Sequence, residues 1–173
     1  MIITDILYDA GFAAVAGIGF GAISDPPLKA FAPIALLSAI GHATRFCMMH
    51  YAGFDIATAS LGGALTIGFG SFFAGKKSRC PMTVLSIPSL LPMVPGIYFY
   101  KIILSLIMFL RVSGDSPESA TYMQAIWSNF LFAFTTTFNL AVGATLPHFI
   151  FKEKAFTLTR KKNKNTVLPV KTK

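Results

Sequence analysis

The stretch Ile87-Pro88-Ser89-Leu90-Leu91-Pro92-Met93-Val94-Pro95-Gly96 lies inside an apolar run that extends from Thr83 to Leu110. How it is read decides how often the chain crosses a membrane. A hydrocarbon core about 30 Å thick is spanned by about 20 apolar residues as helix, so an unbroken helix over 83–110 overshoots it. Proline removes a backbone donor and kinks the axis. The run therefore reads either as one broken span or as a re-entrant piece followed by a span.

Four uninterrupted apolar runs surround it, near Ile6–Ser24, Phe31–His50, Ile56–Gly75 and Tyr122–Ile150. They are separated by Asp25-Pro26-Pro27, by Tyr51–Asp55 and by Lys76–Pro81, all with turn or capping chemistry. Only 13% of the 173 residues are charged and 54% are apolar, with 17 phenylalanines. A soluble domain carries roughly a quarter charged residues. The expected fold is an all-α integral membrane bundle of about five transmembrane helices, the fourth broken by Pro and Gly. It covers residues 1–151 and is followed by a basic tail, 152–173. Met1–Asp5 carries no positive charge ahead of the first run, so no cleavable signal peptide is expected.

Charge sets the expected orientation. The net charge is +8, and Lys152–Lys173 holds eight Lys/Arg against the single acid Glu153. Beside so apolar a body this is not a nucleic-acid signal. It reads first as a topology anchor and second as a contact for anionic lipid. Lys and Arg near span ends favour the cytoplasmic side. With five spans, Lys29, the Lys76/Lys77/Arg79 loop and the tail share one side, while Arg111, Asp5, Asp55, Asp115 and Glu118 lie on the other. A sixth span would place the tail opposite the basic loop. The reading is five crossings, with the N-terminus outside and the C-terminus in the cytoplasm.

Polar side chains within the spans are the candidates for function. A central Arg or Lys costs roughly 2.5–3.5 kcal/mol even on insertion scales, so such groups face the bundle interior and take partners. His42 and Arg45 are three apart and share a helix face. Lys101 lies in the broken run and Asp9 in the first span. In the orientation above, Asp9, Arg45 and Lys101 all fall in the outer half of the membrane. They read as a buried ion pair, or as an anion site built on the positive charge that one acid cannot neutralise. Broken helices in transporters place half-helix N-termini, rich in free N–H groups, near the midplane. A half-helix restarting at about Ile97, after Pro95-Gly96, suits a carboxylate; the alternative is a proline kink filled by neighbouring helices.

The last span carries Ser128, Asn129, Thr135, Thr136, Thr137 and Asn139, with Asn129 and Thr136 two turns apart on one face. They line a polar path or join helices by hydrogen bonds, the second being preferred for the threonines. Gly17-x-x-x-Gly21 and the Ser60/Ala64/Gly68 row mark close helix packing. His50 and His148 read as interfacial, and Cys47 and Cys80 as free thiols without zinc-site spacing. No hydrolase, metalloprotease or phosphate-loop motif is present. No enzyme activity, cofactor or metal is expected.

Two stretches together resemble the threonine/serine exporter family. One is Pro27-Leu28-Lys29-Ala30 running into Ser38-Ala39-Ile40-Gly41-His42-Ala43-Thr44-Arg45; the other is Ile87-Pro88 with Leu91-Pro92-Met93-Val94-Pro95-Gly96. The closer likeness is to the small, YjjB-like subunit of two-component members, which pairs with a larger YjjP-like membrane subunit. The resemblance spans roughly Ile6–Phe149. It marks Gly41, His42, Arg45, Pro92, Pro95 and Gly96; Lys101 and Asn129 are candidates on charge and polarity alone. It implies a secondary exporter of small carboxylate metabolites, of the threonine/serine or the succinate type. The other readings are a non-transporting scaffold subunit and a passive channel. Membrane lipid is an expected partner, and a homo-oligomer is compatible with the sequence. His42 is the residue whose charge changes near neutral pH, and so the candidate for proton coupling.

Overall fold

A computed structural model describes residues 2–112 and 116–151. Asp115 and the basic tail lie outside the described residues. All regular elements among the described residues are helical: α1 Ile2–Ile23, α2 Phe31–Tyr51, α3 Ile56–Ser78, α4 Met82–Leu90, α5 Gly96–Arg111 and α6 Pro117–Ile150. Short 3₁₀ turns at Leu28–Ala30 and Leu91–Met93 precede α2 and follow α4. By length and composition α1, α2, α3 and α6 can each cross a membrane, and α4 with α5 forms a pair bent by 51°. The architecture is a multi-pass helical membrane protein with four such helices, or five spans if the bent pair is one.

The sequence explains where the helices stop. After α1, Asp25 takes φ 44 and is followed by Pro26-Pro27, which end the hydrogen-bond ladder. After α3, Arg79 takes φ 53 and its N–H closes onto the Gly75 carbonyl. In the broken run Pro88 stays inside α4, and the break falls at Val94-Pro95. Val94 is extended (φ −60°, ψ 128°). A residue before proline is disfavoured in the α region, and here Gly96, a poor helix former, follows at once. Ile87 also precedes a proline, but Pro88 is buried in the part of the chain where α4 packs on α1, α2 and α3, and Leu91, before Pro92, opens the 3₁₀ turn. The restart is at Gly96, one residue before the expected Ile97.

Packing rests on small residues. α1 meets α2 where Gly17 faces Ser38 and Gly21 faces Ile34. α2 meets α3 at Gly41 and Gly63: a Cβ on Gly63 would stand 2.8 Å from the Gly41 carbonyl oxygen. α3 is the central helix, packed on α2, α4 and α6. Its Ala64–Gly68 row meets Gly143 and Pro147 of α6, the close approach that the small-residue row predicts. One core gathers Ile34, Leu37, Cys80 and Leu85; another gathers Ala64, Ile67, Met93 and Leu140. Cys80 is buried and Cys47 half-buried, and both are free thiols.

α6 has 34 residues, about 51 Å at 1.5 Å per residue. It starts at Pro117, before the expected Tyr122, and is longer than a bilayer core requires. Its second half runs along α3, where Asn139 Nδ2 donates to the Ala57 carbonyl at 2.9 Å. Its first half pairs with α5, with Tyr98 stacked on Phe132. α5 buries none of its residues.

Asp55 caps α3. Its carboxylate accepts from the Thr58 hydroxyl at 2.6 Å and from the Ala57 and Thr58 N–H groups at 3.0 and 3.1 Å. The Thr58 hydroxyl, together with these N–H groups, holds the Asp55 carboxyl below the ordinary carboxylate range. A lowered folded-state value means that the cap stabilises above the unfolded value, near pH 4, and that this contribution fades as pH falls through the folded value. Asp55→Ala is therefore expected to lower the thermal midpoint in detergent at pH 7. The gap from the parent protein should narrow at about pH 3. A gap that is equal at both pH values would mean that the carboxylate charge contributes nothing to the cap.

Candidate functional site

The α1–α2 register set by Gly17 against Ser38 carries Asp9 alongside the Gly41–Arg45 stretch. Asp9 Oδ2 lies 3.1 Å from His42 Nδ1. The His42 side chain is 7% exposed and that of Asp9 34%, so the pair is sealed on the imidazole side and open on the carboxylate side. It opens into a groove of about 390 Å³ walled by Phe12 and Phe20 of α1 and by Leu91, Pro92 and Val94 of the break. His42 Nε2 is buried and makes no hydrogen bond of normal geometry within the described structure. The Pro92 backbone lies close to the same ring.

Arg45, one turn further along α2, points Nη1 at the Met93 carbonyl, 3.4 Å away. Val94 leaves the helical path just beyond Met93, which exposes that carbonyl to a side chain. The Met93 methyl packs over both Gly41 and Gly63. The point where α2 and α3 touch backbone to backbone is thus also where the broken helix turns. Asp9, His42, Arg45, Pro92 and Met93 converge there, and Arg45 and His42 interact electrostatically with Asp9. The partner of Asp9 is the histidine, not a permanent cation as the charge count suggests. Arg45 is left with a backbone carbonyl as its hydrogen-bond acceptor, so its positive charge is shared with Asp9 only at longer range.

The other candidates lie elsewhere. Lys101 is exposed on α5, with Nζ 5.8 Å from the Tyr98 ring centre. The 51° bend carries α5 onto α6 and away from α1 and α2, so Lys101 does not join the Asp9–Arg45 group. Asn129 Nδ2 donates to the Ala125 carbonyl of its own helix at 2.6 Å. Thr136 is fully buried and its hydroxyl has no hydrogen-bond partner within the described structure. Asn139, through Ala57, is the residue of this polar set that joins α6 to α3. Pro95 is buried at the start of α5 and Gly96 is exposed. The Gly96 and Tyr98 N–H groups bond locally to the Val94 and Pro95 carbonyls at 2.8 and 3.1 Å. This reduces what the half-helix N-terminus can offer to an anion. His50 stacks on Phe46 with ring centres 3.9 Å apart. Among the described residues no cluster of His, Cys, Asp and Glu is able to hold a metal ion.

Two features of the site have no place among the sequence candidates: the apolar wall of α1 and the Met93 carbonyl. The wall has a sequence signal, since Asp9, Phe12, Ala13, Ala16 and Phe20 fall on one helical face. The carbonyl has none, because any backbone oxygen near the break offers the same chemistry.

A family model described as "Threonine/Serine exporter, ThrE" matches residues 9–150. A relative from Haemophilus influenzae (strain ATCC 51907 / DSM 11121 / KW20 / Rd), described as an uncharacterized protein, is 29% identical over 149 residues. That match covers 84% of this chain and 48% of the relative, so the chain spans about half the length of the curated relative it matches. No solved structure matches the chain.

Proposed function

The chain belongs to the threonine/serine exporter family, and from that premise we propose that it is the small subunit of a secondary exporter for small carboxylate metabolites, working with a larger membrane subunit. The observation that carries the proposal is the convergence of Asp9, His42 and Arg45 on the broken helix, where Asp9 and His42 line an apolar-walled groove and Arg45 holds the Met93 carbonyl behind it. The site combines a proton-exchanging pair with a permanent cation. His42 takes up and releases a proton while Asp9 holds its ring in place, and Arg45 supplies the charge that selects a carboxylate. No phosphate-loop motif is present, so export draws on a proton or solute gradient. The larger partner rests on the resemblance of the Gly41–Arg45 and Pro92–Gly96 stretches to the two-component members of the family. The protein sits in the bacterial inner membrane with its N-terminus outside and its C-terminus in the cytoplasm, as the Lys29 and Lys76–Arg79 charges favour.

The test is efflux of succinate and of threonine from cells that express this chain with and without the larger subunit. Efflux of one substrate only when both chains are present supports the proposal and names the substrate. No efflux of either, with both chains in the membrane, overturns it in favour of a scaffold. Arg45→Ala sharpens the same assay. A hydrogen bond to a charged group contributes about 1.5–3 kcal/mol, so apparent affinity for a dianion should fall about ten- to a hundredfold. A zwitterion should lose less, and equal loss for both would assign Arg45 a structural role.

A further inference from the structure

A second concavity lies on the other side of α2, at the end of the bundle where Lys29, Lys76, Lys77 and Arg79 gather. It is a groove of about 590 Å³ between α2 and α3. Ala32, Pro33, Leu36 and Ile40 of α2 wall one side, Gly70 and Ala74 of α3 the other, and Leu37 forms the floor. The trough exists because α3 presents small residues there. A Cβ on Gly70 would stand 2.5 Å from Leu37 Cδ2, so the two helices nearly touch beneath it. Its length from Ala32 to Ile40 is about 12 Å by helix rise.

Charge is placed at one end only. Lys29 and Lys77 border the mouth, both exposed and neither in an ion pair within the described structure. Neighbouring Lys76 is diverted, with its ammonium 4.0 Å over the Phe72 ring. Two unpaired cations at the membrane edge, heading an apolar trough that runs toward the bilayer centre, complement a molecule with an anionic head and a hydrocarbon tail. We propose that this groove is a binding site for an anionic phospholipid. Its phosphate sits between Lys29 and Lys77, and one acyl chain lies along Leu37 between α2 and α3. The site is separate from the Asp9–His42 groove, and the inference does not depend on what that groove transports.

The experiment is native mass spectrometry of the full chain in detergent, titrated with dioleoyl phosphatidylglycerol, dioleoyl phosphatidylcholine or glycerol phosphate. The parent protein should bind phosphatidylglycerol in preference to phosphatidylcholine. Lysines at a membrane surface are worth roughly fivefold each, so Lys29→Gln with Lys77→Gln should weaken the tightest phosphatidylglycerol adduct about 25-fold. Lys76→Gln should leave it within about twofold. Ala32→Trp, at an exposed position, fills the trough and should weaken the lipid while leaving the elution volume unchanged. The tail's charges are present in every variant, so the differences isolate the groove. Equal binding of the two lipids, or a Lys76→Gln loss equal to that of the double variant, overturns the proposal. So does glycerol phosphate binding as tightly as the lipid with no effect of Ala32→Trp, which would mark a site for a free anion.

Discussion

Efflux by a His42→Gln variant is expected to lose its dependence on pH between about 5 and 8, with the protein still folded and present in the membrane. The reasoning starts from the geometry. His42 Nδ1 lies 3.1 Å from Asp9 Oδ2, and the ring is almost wholly buried between α1, α2 and the break. A glutamine fills similar space and its amide can still donate to Asp9, but it exchanges no proton. A one-proton step changes a rate by up to about tenfold per pH unit on its limb, so across this window the difference from the parent is large. Matching gel-filtration profiles would separate the loss of a proton site from a failure to fold. Asp9→Asn is the companion variant, since it keeps a hydrogen-bonding group beside the ring and removes its counter-charge. If His42→Gln keeps the parent's pH profile, the coupling proton is carried by another group and the pair is structural. This outcome is distinct from loss of all efflux in the two-chain assay, which bears on whether the chain transports at all.

The spans were legible because the signal is length and apolarity. α2 and α3 start within a residue of where the apolar runs begin. The apolar run from Tyr122 understates α6, since Pro117-Glu118-Ser119 and Thr121 break the apolar pattern ahead of it. Ser116 at the cap, Pro117 in the first turn and Glu118 behind it are nonetheless helix-start residues visible in the sequence. The broken run was legible as broken, but not the position of the break. Three prolines compete, and tertiary packing holds Pro88 in helix while Val94-Pro95-Gly96 gives way. The grouping of charges was the hardest part. Depth along a span places Asp9, Arg45 and Lys101 at similar levels, but it does not reveal that a 51° bend turns α5 toward α6. Nor does spacing reveal that Asp9 meets His42. That contact depends on the rotation of α1 against α2, which Gly17 and Ser38 fix through packing. The orientation rests partly on Asp115 and on the tail, which lie outside the described residues.

The second large effect belongs to the α3–α6 seam. Gly143→Ala is expected to destabilise the protein and Gly143→Ile to do so severely, while Gly19→Ala should be neutral or stabilising. A Cβ on Gly143 would stand 2.6 Å from the Ala64 Cβ and 3.1 Å from the Leu61 carbonyl oxygen and the Leu65 nitrogen. Two of those three atoms are backbone, so no rotamer change relieves the contact and α6 must move off α3. On the other side of the seam, a Cβ on Gly68 would stand 2.9 Å from the Gly143 carbonyl oxygen. Around Gly19 nothing lies within 4 Å, and alanine is there the better helix former by about 1 kcal/mol. Overpacking a tight contact costs typically 1–3 kcal/mol. With a backbone that cannot yield, isoleucine should reach the upper end, a drop in thermal midpoint on the order of 10 °C. The seam also bears on transport, because Leu140 of α6 packs with Ala64, Ile67 and Met93, and Met93 offers Arg45 its carbonyl. Forcing α6 outward loosens Met93, so Gly143→Ile should lose efflux along with stability, and Gly19→Ala should lose neither. Thermal midpoints of the purified variants, read beside their efflux, decide the matter. Equal midpoints for Gly143→Ala and Gly19→Ala would mean that α3 and α6 do not approach this closely in the membrane.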